Sequence, residues 1–164
     1  MKPNNDNPLQ FYSYMEKLAV FHKKLKHTEK EKHFFRGELE EFYTGYRNEI
    51  NFPALIAEGY ELNHETTNNV WKHRQFSFIV AQIYDEKNNY DAIDAANNTC
   101  EVITEDIIRR FIHDIEESNL NYVFDYGTGI QIENVEKRYV GMRYTAVLKS
   151  CFNEEIDETQ WTDL

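Results

Sequence analysis

The stretch YDAIDAANNTCEVITEDIIRRFIHDIEE, Tyr90 to Glu117, carries the strongest periodic signal in the chain. Tyr90, Ile93, Asn97, Cys100, Ile103, Ile107, Phe111 and the Asp114/Ile115 pair recur every three or four residues. That spacing lays a nearly continuous apolar stripe along one face of a helix. The blocks on either side, 75–83 and 139–152, alternate in the manner of strands. A long helix packed across a sheet predicts an α+β fold.

Working outward, residues 71–84 read as a strand. Phe76, Phe78 and Val80 share one face, and Ser77, Ile79 and Ala81 share the other. Both faces are apolar toward the end of the run, which places this strand in the interior of its sheet. Residues 53–62 form a shorter apolar strand, followed by a polar cluster at 64–69. Residues 85–89 make a turn rich in helix-capping side chains, and Ser118-Asn119 ends the long helix. Gly127 and Gly129 in 121–131 predict a bent or bulged strand. A polar turn at 133–138 leads to the last strand, 139–152, where Val140, Met142, Tyr144, Ala146 and Leu148 face one way.

On the N-terminal side, Asn7 suits a cap and Pro8 a first helical position. Tyr12, Met15, Leu18, Ala19, His22 and Leu25 keep helical spacing, so a first helix is expected over 8–27. Residues 28–33 are a charged connector. Phe35, Leu39, Phe42, Tyr46 and Ile50 suggest a second helix, weakened by Gly37 and Gly45 and stopped by Pro53. The expected architecture is one α+β domain over 1–152. It has a mostly antiparallel sheet of four to five strands against one long central helix, with one or two helices before it. Residues 153–164 form an acidic tail that Trp161 could anchor.

Composition agrees with a folded chain: 164 residues, 41% hydrophobic and 15% aromatic, can bury a sizeable core. No apolar run approaches the roughly 20 residues of a membrane span, so no membrane partner is expected. The first eight residues carry no apolar leader, and export is not expected. Cys100 and Cys151 lie far apart, which fits a reducing compartment better than a disulfide framework.

The net charge of −11 is unevenly spread. Residues 22–36 hold Lys23, Lys24, Lys26, Lys30, Lys32 and Arg36 against Glu29 and Glu31, whereas 85–117 hold ten acids against three bases. The tail has five acids and no base. Such a chain is poorly suited to wrap nucleic acid, which calls for clustered Lys and Arg. The basic segment is the one place suited to a phosphate contact, and its plain reading is a solvated helix end.

Signatures of catalysis are missing from the sequence. It contains no Gly-rich phosphate loop, no CxxC pair and no HExxH, and His22 and His27 fall on different faces of the first helix. His64, His73 and His113 lie in separate segments. Cys100 sits on the apolar stripe beside Glu101, the opposite of the electropositive setting a nucleophilic thiol needs. Asp91, Asp94, Asn98, Glu101 and Glu105 line one side of the long helix, but ligands along a single exposed line do not surround an ion. Glu105 is placed to pair with Arg109 at i, i+4, and the plain reading is a wet face. No catalytic residue, metal or cofactor is expected.

Three segments carry a family resemblance. They are Phe34-Phe35-Arg36-Gly37-Glu38-Leu39-Glu40-Glu41-Phe42 running into Asn51-Phe52-Pro53-Ala54-Leu55-Ile56-Ala57-Glu58, then Arg74-Gln75-Phe76-Ser77-Phe78-Ile79-Val80, and the helix from Asp91 to Asp114. In this order the chain resembles bacteriophage tail-terminator and head–tail completion (neck) proteins. The resemblance implies a non-enzymatic virion component, assembled in the bacterial host cytoplasm. It implies a homo-oligomeric ring, commonly a hexamer, that caps the tail tube, docks to the tail tube protein and to neck or connector proteins, and lets DNA pass non-specifically. In such a ring Asp91, Asp94, Glu101 and Glu105 would face the lumen or an interface, where negative charge keeps DNA from sticking. Lys23, Lys24, Lys26, Lys30 and Lys32 would form a basic contact. His64, Glu65, Asn68, Asn69, Gly127, Gly129, Glu136 and Lys137 would supply contact loops. The N-terminal extension before Phe34 and the acidic tail depart from the family pattern. The competing reading is a small acidic adaptor or inhibitor that binds a basic protein, and an enzyme with a pocket of scattered residues comes third.

Overall fold

The computed structural model describes residues 8–44, 50–65, 71–85, 89–117 and 122–151. The expected cap at Asn7, the helix-weakening Gly45, the stripe position Tyr46, the helix end at Ser118-Asn119, the loop residues Asn68 and Asn69, and the tail 153–164 with Trp161 lie outside them. The described elements run α1 (Pro8–Phe21), β1 (Phe34–Arg36), α2 (Leu39–Thr44), β2 (Ala54–Glu65), β3 (Trp71–Ile83), α3 (Tyr90–Glu117), β4 (Tyr122–Asn134) and β5 (Tyr139–Cys151). The five strands form one mixed sheet in the order β1-β2-β3-β5-β4, in which β1 and β2 are parallel and the other pairings antiparallel. Strand β3 is central, as its two apolar faces predict. Because β5 returns between β3 and β4, helix α3 is the crossover of a split β-α-β unit.

Helix α3 begins where Asn89 caps it: its Oδ1 accepts the Ala92 amide at 3.2 Å, and its carbonyl accepts the Ile93 amide. Ala96, Cys100, Ile103, Ile107, Phe111 and Ile115 then meet Phe76, Phe78, Val80, Val140 and Ala146 in the main core. Ile93 packs partly buried at its margin. Tyr90 departs from the expected stripe and is 76% exposed, because it precedes the first full turn lying over the sheet.

The first helix is shorter than its periodicity suggests. Regular pairing ends with the His22 amide on the Leu18 carbonyl, and both the Leu25 and Lys26 amides turn back to the His22 carbonyl. Lys26 adopts a left-handed φ of 50°, and the His27 amide reaches the Ala19 carbonyl. Leu25 therefore stays buried, but on a turn, so apolar spacing persists after the helix has stopped. His22 and His27 both lie beyond the helix. His27 Nδ1 accepts the His33 amide at 3.0 Å and the Phe34 amide at 3.2 Å, which locks the turn onto β1.

The expected helix through Phe35 is corrected more deeply. Phe34 enters the core under α1, while Phe35 packs on the opposite side with Phe42 and Ile56. This alternation belongs to a strand, and Phe34–Arg36 pairs with Leu55, Ile56 and Ala57. Among the described residues of the predicted second helix, Leu39–Thr44 is the helical part. As the β1–β2 crossover, it covers Ala54, Ile56, Ile79 and Ala81 on the face away from α3. Asn134 fixes α2 by donating from Nδ2 to the Phe42 and Tyr43 carbonyls at 3.1 and 2.8 Å.

Two outcomes are expected. Ile103→Ala removes a fully buried anchor of α3 and should lower unfolding free energy by about 3 kcal/mol in urea denaturation. Burial, opposed by Glu16, holds His27 below its ordinary 6.5. The unfolded chain thus takes up the proton first as pH falls. Stability is complete above about 6.5 and declines below it, toward the lower folded value. Urea midpoints at about pH 7.5 and about pH 5.5 should reveal the loss. His27→Asn, whose Oδ1 keeps the acceptor, should lessen it.

Candidate docking face

Beyond the patch covered by α2, the far side of the sheet carries no helix among the described residues. Strand register assigns Val123, Tyr126, Thr128 and Ile130 of β4 to this side, opposite Lys149, Val147, Thr145 and Arg143 of β5. Ser77 of β3 and Glu58 of β2 continue the surface inward. Side chains here satisfy one another. Arg143 Nε donates to Glu58 Oε2 at 2.7 Å, Ser77 and Thr145 share a hydrogen bond of 2.8 Å, and Lys149 lies 3.0 Å from Asp125. Glu58 is only 4% exposed, and Arg143 is the partner that offsets its burial.

The outer strand β4 is different. Val123, Tyr126 and Ile130 are 62, 56 and 58% exposed. The run Tyr126-Gly127-Thr128-Gly129-Ile130-Gln131-Ile132 has no charged residue. Long edge strands normally carry charge or Pro as protection against pairing with other chains. A bulge between Phe124 and Tyr126 turns Asp125 out of register toward Lys149, and the pairing from Tyr126 to Asn134 runs on unbroken. The expected bulge in this strand is present, but it precedes both glycines, whose lack of a side chain answers to a different contact. The Tyr144 ring crosses the helix side of β4, and a Cβ at Gly127 would lie 2.0 Å from its hydroxyl, while one at Gly129 would lie 3.1 Å from the Met142 sulfur.

The expected site residues are dispersed. Gly127 and Gly129 are strand residues, not loop residues, and His64 and Glu65 are the last residues of β2, with Glu65 3.3 Å from His73 Nε2. Glu136 and Lys137 do lie exposed in the turn joining β4 to β5. Asp91, Asp94, Glu101 and Glu105 are exposed on the solvent side of α3, across the sheet from the bare face, and Glu105 pairs with Arg109 as its spacing predicts. Lys23, Lys24, Lys26 and Lys30 are exposed and Lys32 is half-buried. They follow α1 through the turn, away from β4. The bare face and the uncharged edge escaped the sequence reading. The seven-residue uncharged run was visible, but which strand lies outermost is not a property of any local segment.

Cys100 lies in the main core, and burial pushes its thiol up to about 12, so it is protonated at neutral pH. Among the described residues, no three His, Cys, Asp or Glu side chains are grouped to hold a metal ion. No helix among the described residues is long and apolar enough to cross a membrane. Neither models of known protein families nor curated protein sequences give a match to this chain.

The Glu58–Arg143 pair supplies a test of how this face is held. Arg143→Met should cost about 2 kcal/mol, less than a fully enclosed pair because Arg143 is one-third exposed. The double variant with Glu58→Gln should recover part of that loss in chemical denaturation, since no orphan charge remains.

Proposed function

We propose that this chain is a non-enzymatic assembly subunit, a ring-forming component of the head-proximal end of a phage tail. The observation that carries the reading is the β4 edge, which has no neighbouring strand among the described residues and joins an uncharged backbone ladder to the exposed Val123, Tyr126 and Ile130. An edge of this kind is suited to another polypeptide rather than to a small substrate. The opposite sheet edge, β1, is three residues long and cannot mirror it. Ring closure requires a heterologous contact, so β4 meets a different surface of the next copy.

The two sides of the sheet suit separate tasks. The bare face and β4 serve subunit contacts, and the acidic outer side of α3, with Asp91, Asp94 and Glu101, faces the passage through which DNA slides. An acidic adaptor for a basic protein would use the same α3 surface but would have no need of the β4 edge.

Light scattering coupled to size exclusion separates these readings. The purified chain, alone or with tail tube protein, should elute as a closed assembly several times its 19.7 kDa mass. Ile130→Lys with Tyr126→Lys should return it to monomer without lowering its melting temperature, because both positions are exposed. A two-fold dimer through β4, or a persistent monomer that binds basic proteins through α3, would overturn the ring.

A further inference from the structure

Helices α1 and α3 run antiparallel, and a groove of about 720 Å³ opens between them. Its floor is apolar, formed by Leu18 and Ile107, and Phe21 stands at its edge 80% exposed. Val20 beside it is also exposed. One end is closed by a polar junction: the Tyr14 hydroxyl donates to Asp114 Oδ2 at 2.9 Å, and Arg110 Nε donates to Asp114 Oδ1 at 2.8 Å. Burial and the Asp114 hydrogen bond raise the Tyr14 phenol far above its usual range, so this junction keeps its protons throughout ordinary pH. At the other end His22 Nε2 lies 3.5 Å from Asp106. Lys23 and Lys24 line that end, and neither has an ion-pair partner among the described residues. The groove thus offers an apolar strip with uncompensated positive charge at its mouth.

We propose that this groove receives the acidic C-terminal segment of the same chain, residues 152–164. That segment, FNEEIDETQWTDL, has five acids and no base, with Phe152, Ile156 and Trp161 spaced between them. Its charge complements Lys23 and Lys24, and its apolar residues match Phe21, Leu18 and Ile107. Reach permits the contact. Cys151 pairs with Trp71, and Phe76, about 17 Å further along β3, touches Phe111 beside the Asp114 end of the groove. From Asp114 to Asp106 is about 12 Å along α3. Thirteen extended residues span about 43 Å. The contact is independent of the β4 edge, so it stands or falls separately from ring assembly.

Zero-length carbodiimide cross-linking of a mixture of unlabelled and isotope-labelled full-length chains tests it directly. Cross-links should join Glu158 or Asp163, the acids far enough along the tail to arrive, to Lys23 or Lys24 within chains of one label. Absence of these links, or links only between differently labelled chains, would overturn the proposal. In the second case a neighbouring copy supplies the tail. A second measurement is cleavage of the tail by a glutamate-specific protease. Lys23→Gln with Lys24→Gln, both on the surface, should speed cleavage about fivefold, the effect of losing one or two exposed ion pairs, with helix content unchanged by circular dichroism. Equal rates in the two proteins would refute it.

Discussion

The packing of one helical stripe onto two adjacent strands holds the molecule together. Cys100, Ile103, Ile107, Phe111 and Ile115 of α3 lie against Phe76, Phe78 and Val80 of β3 and Val140 and Ala146 of β5. Burial of this surface is the main favourable term, and each fully buried aliphatic side chain contributes about 2 kcal/mol. Helix α1 extends the same layer through Met15, Leu18 and Ala19, and its tie to α3 is the Tyr14–Asp114–Arg110 junction. The Arg36 guanidinium lies 4.4 Å from the Tyr12 ring centre and joins α1 to β1.

This one-sided arrangement leaves the sheet asymmetric. A six-residue α2 covers only Ala54, Ile56, Ile79 and Ala81 on the other face. Past that patch, covering helices give way to paired side chains: Glu58 with Arg143, Ser77 with Thr145, Lys149 with Asp125. Such pairs satisfy polar groups but add little hydrophobic stabilisation. The sheet is thus stable because of α3 and available because of what α2 leaves uncovered. The free β4 edge follows from the same topology, since β5 occupies the place between β3 and β4.

Long periodic segments were legible as a sequence, and short ones were not. The start of α3, the faces of β3 and β5, and the Glu105–Arg109 pair agree with their spacing because many residues repeat one pattern. Phe34–Arg36 is too short to establish a period. Phe35 fits a helical series with Leu39 and Phe42 as well as it fits the alternation it adopts. Leu25 misled in another way. It remains buried at helical spacing from Leu18, but Lys26 takes a left-handed turn that no apolar pattern records.

Residue order alone therefore carries the fold class, the long helix and the central strand, because local periodicity and burial share one physical cause, the removal of apolar side chains from water. Strand order is another matter. That β4 is outermost, that Glu58 meets Arg143 across 85 positions, and that Lys23 and Lys24 stand at a groove beside Asp106 all depend on contacts between distant segments. Those contacts form only when the chain closes on itself, and no window of neighbouring residues contains them.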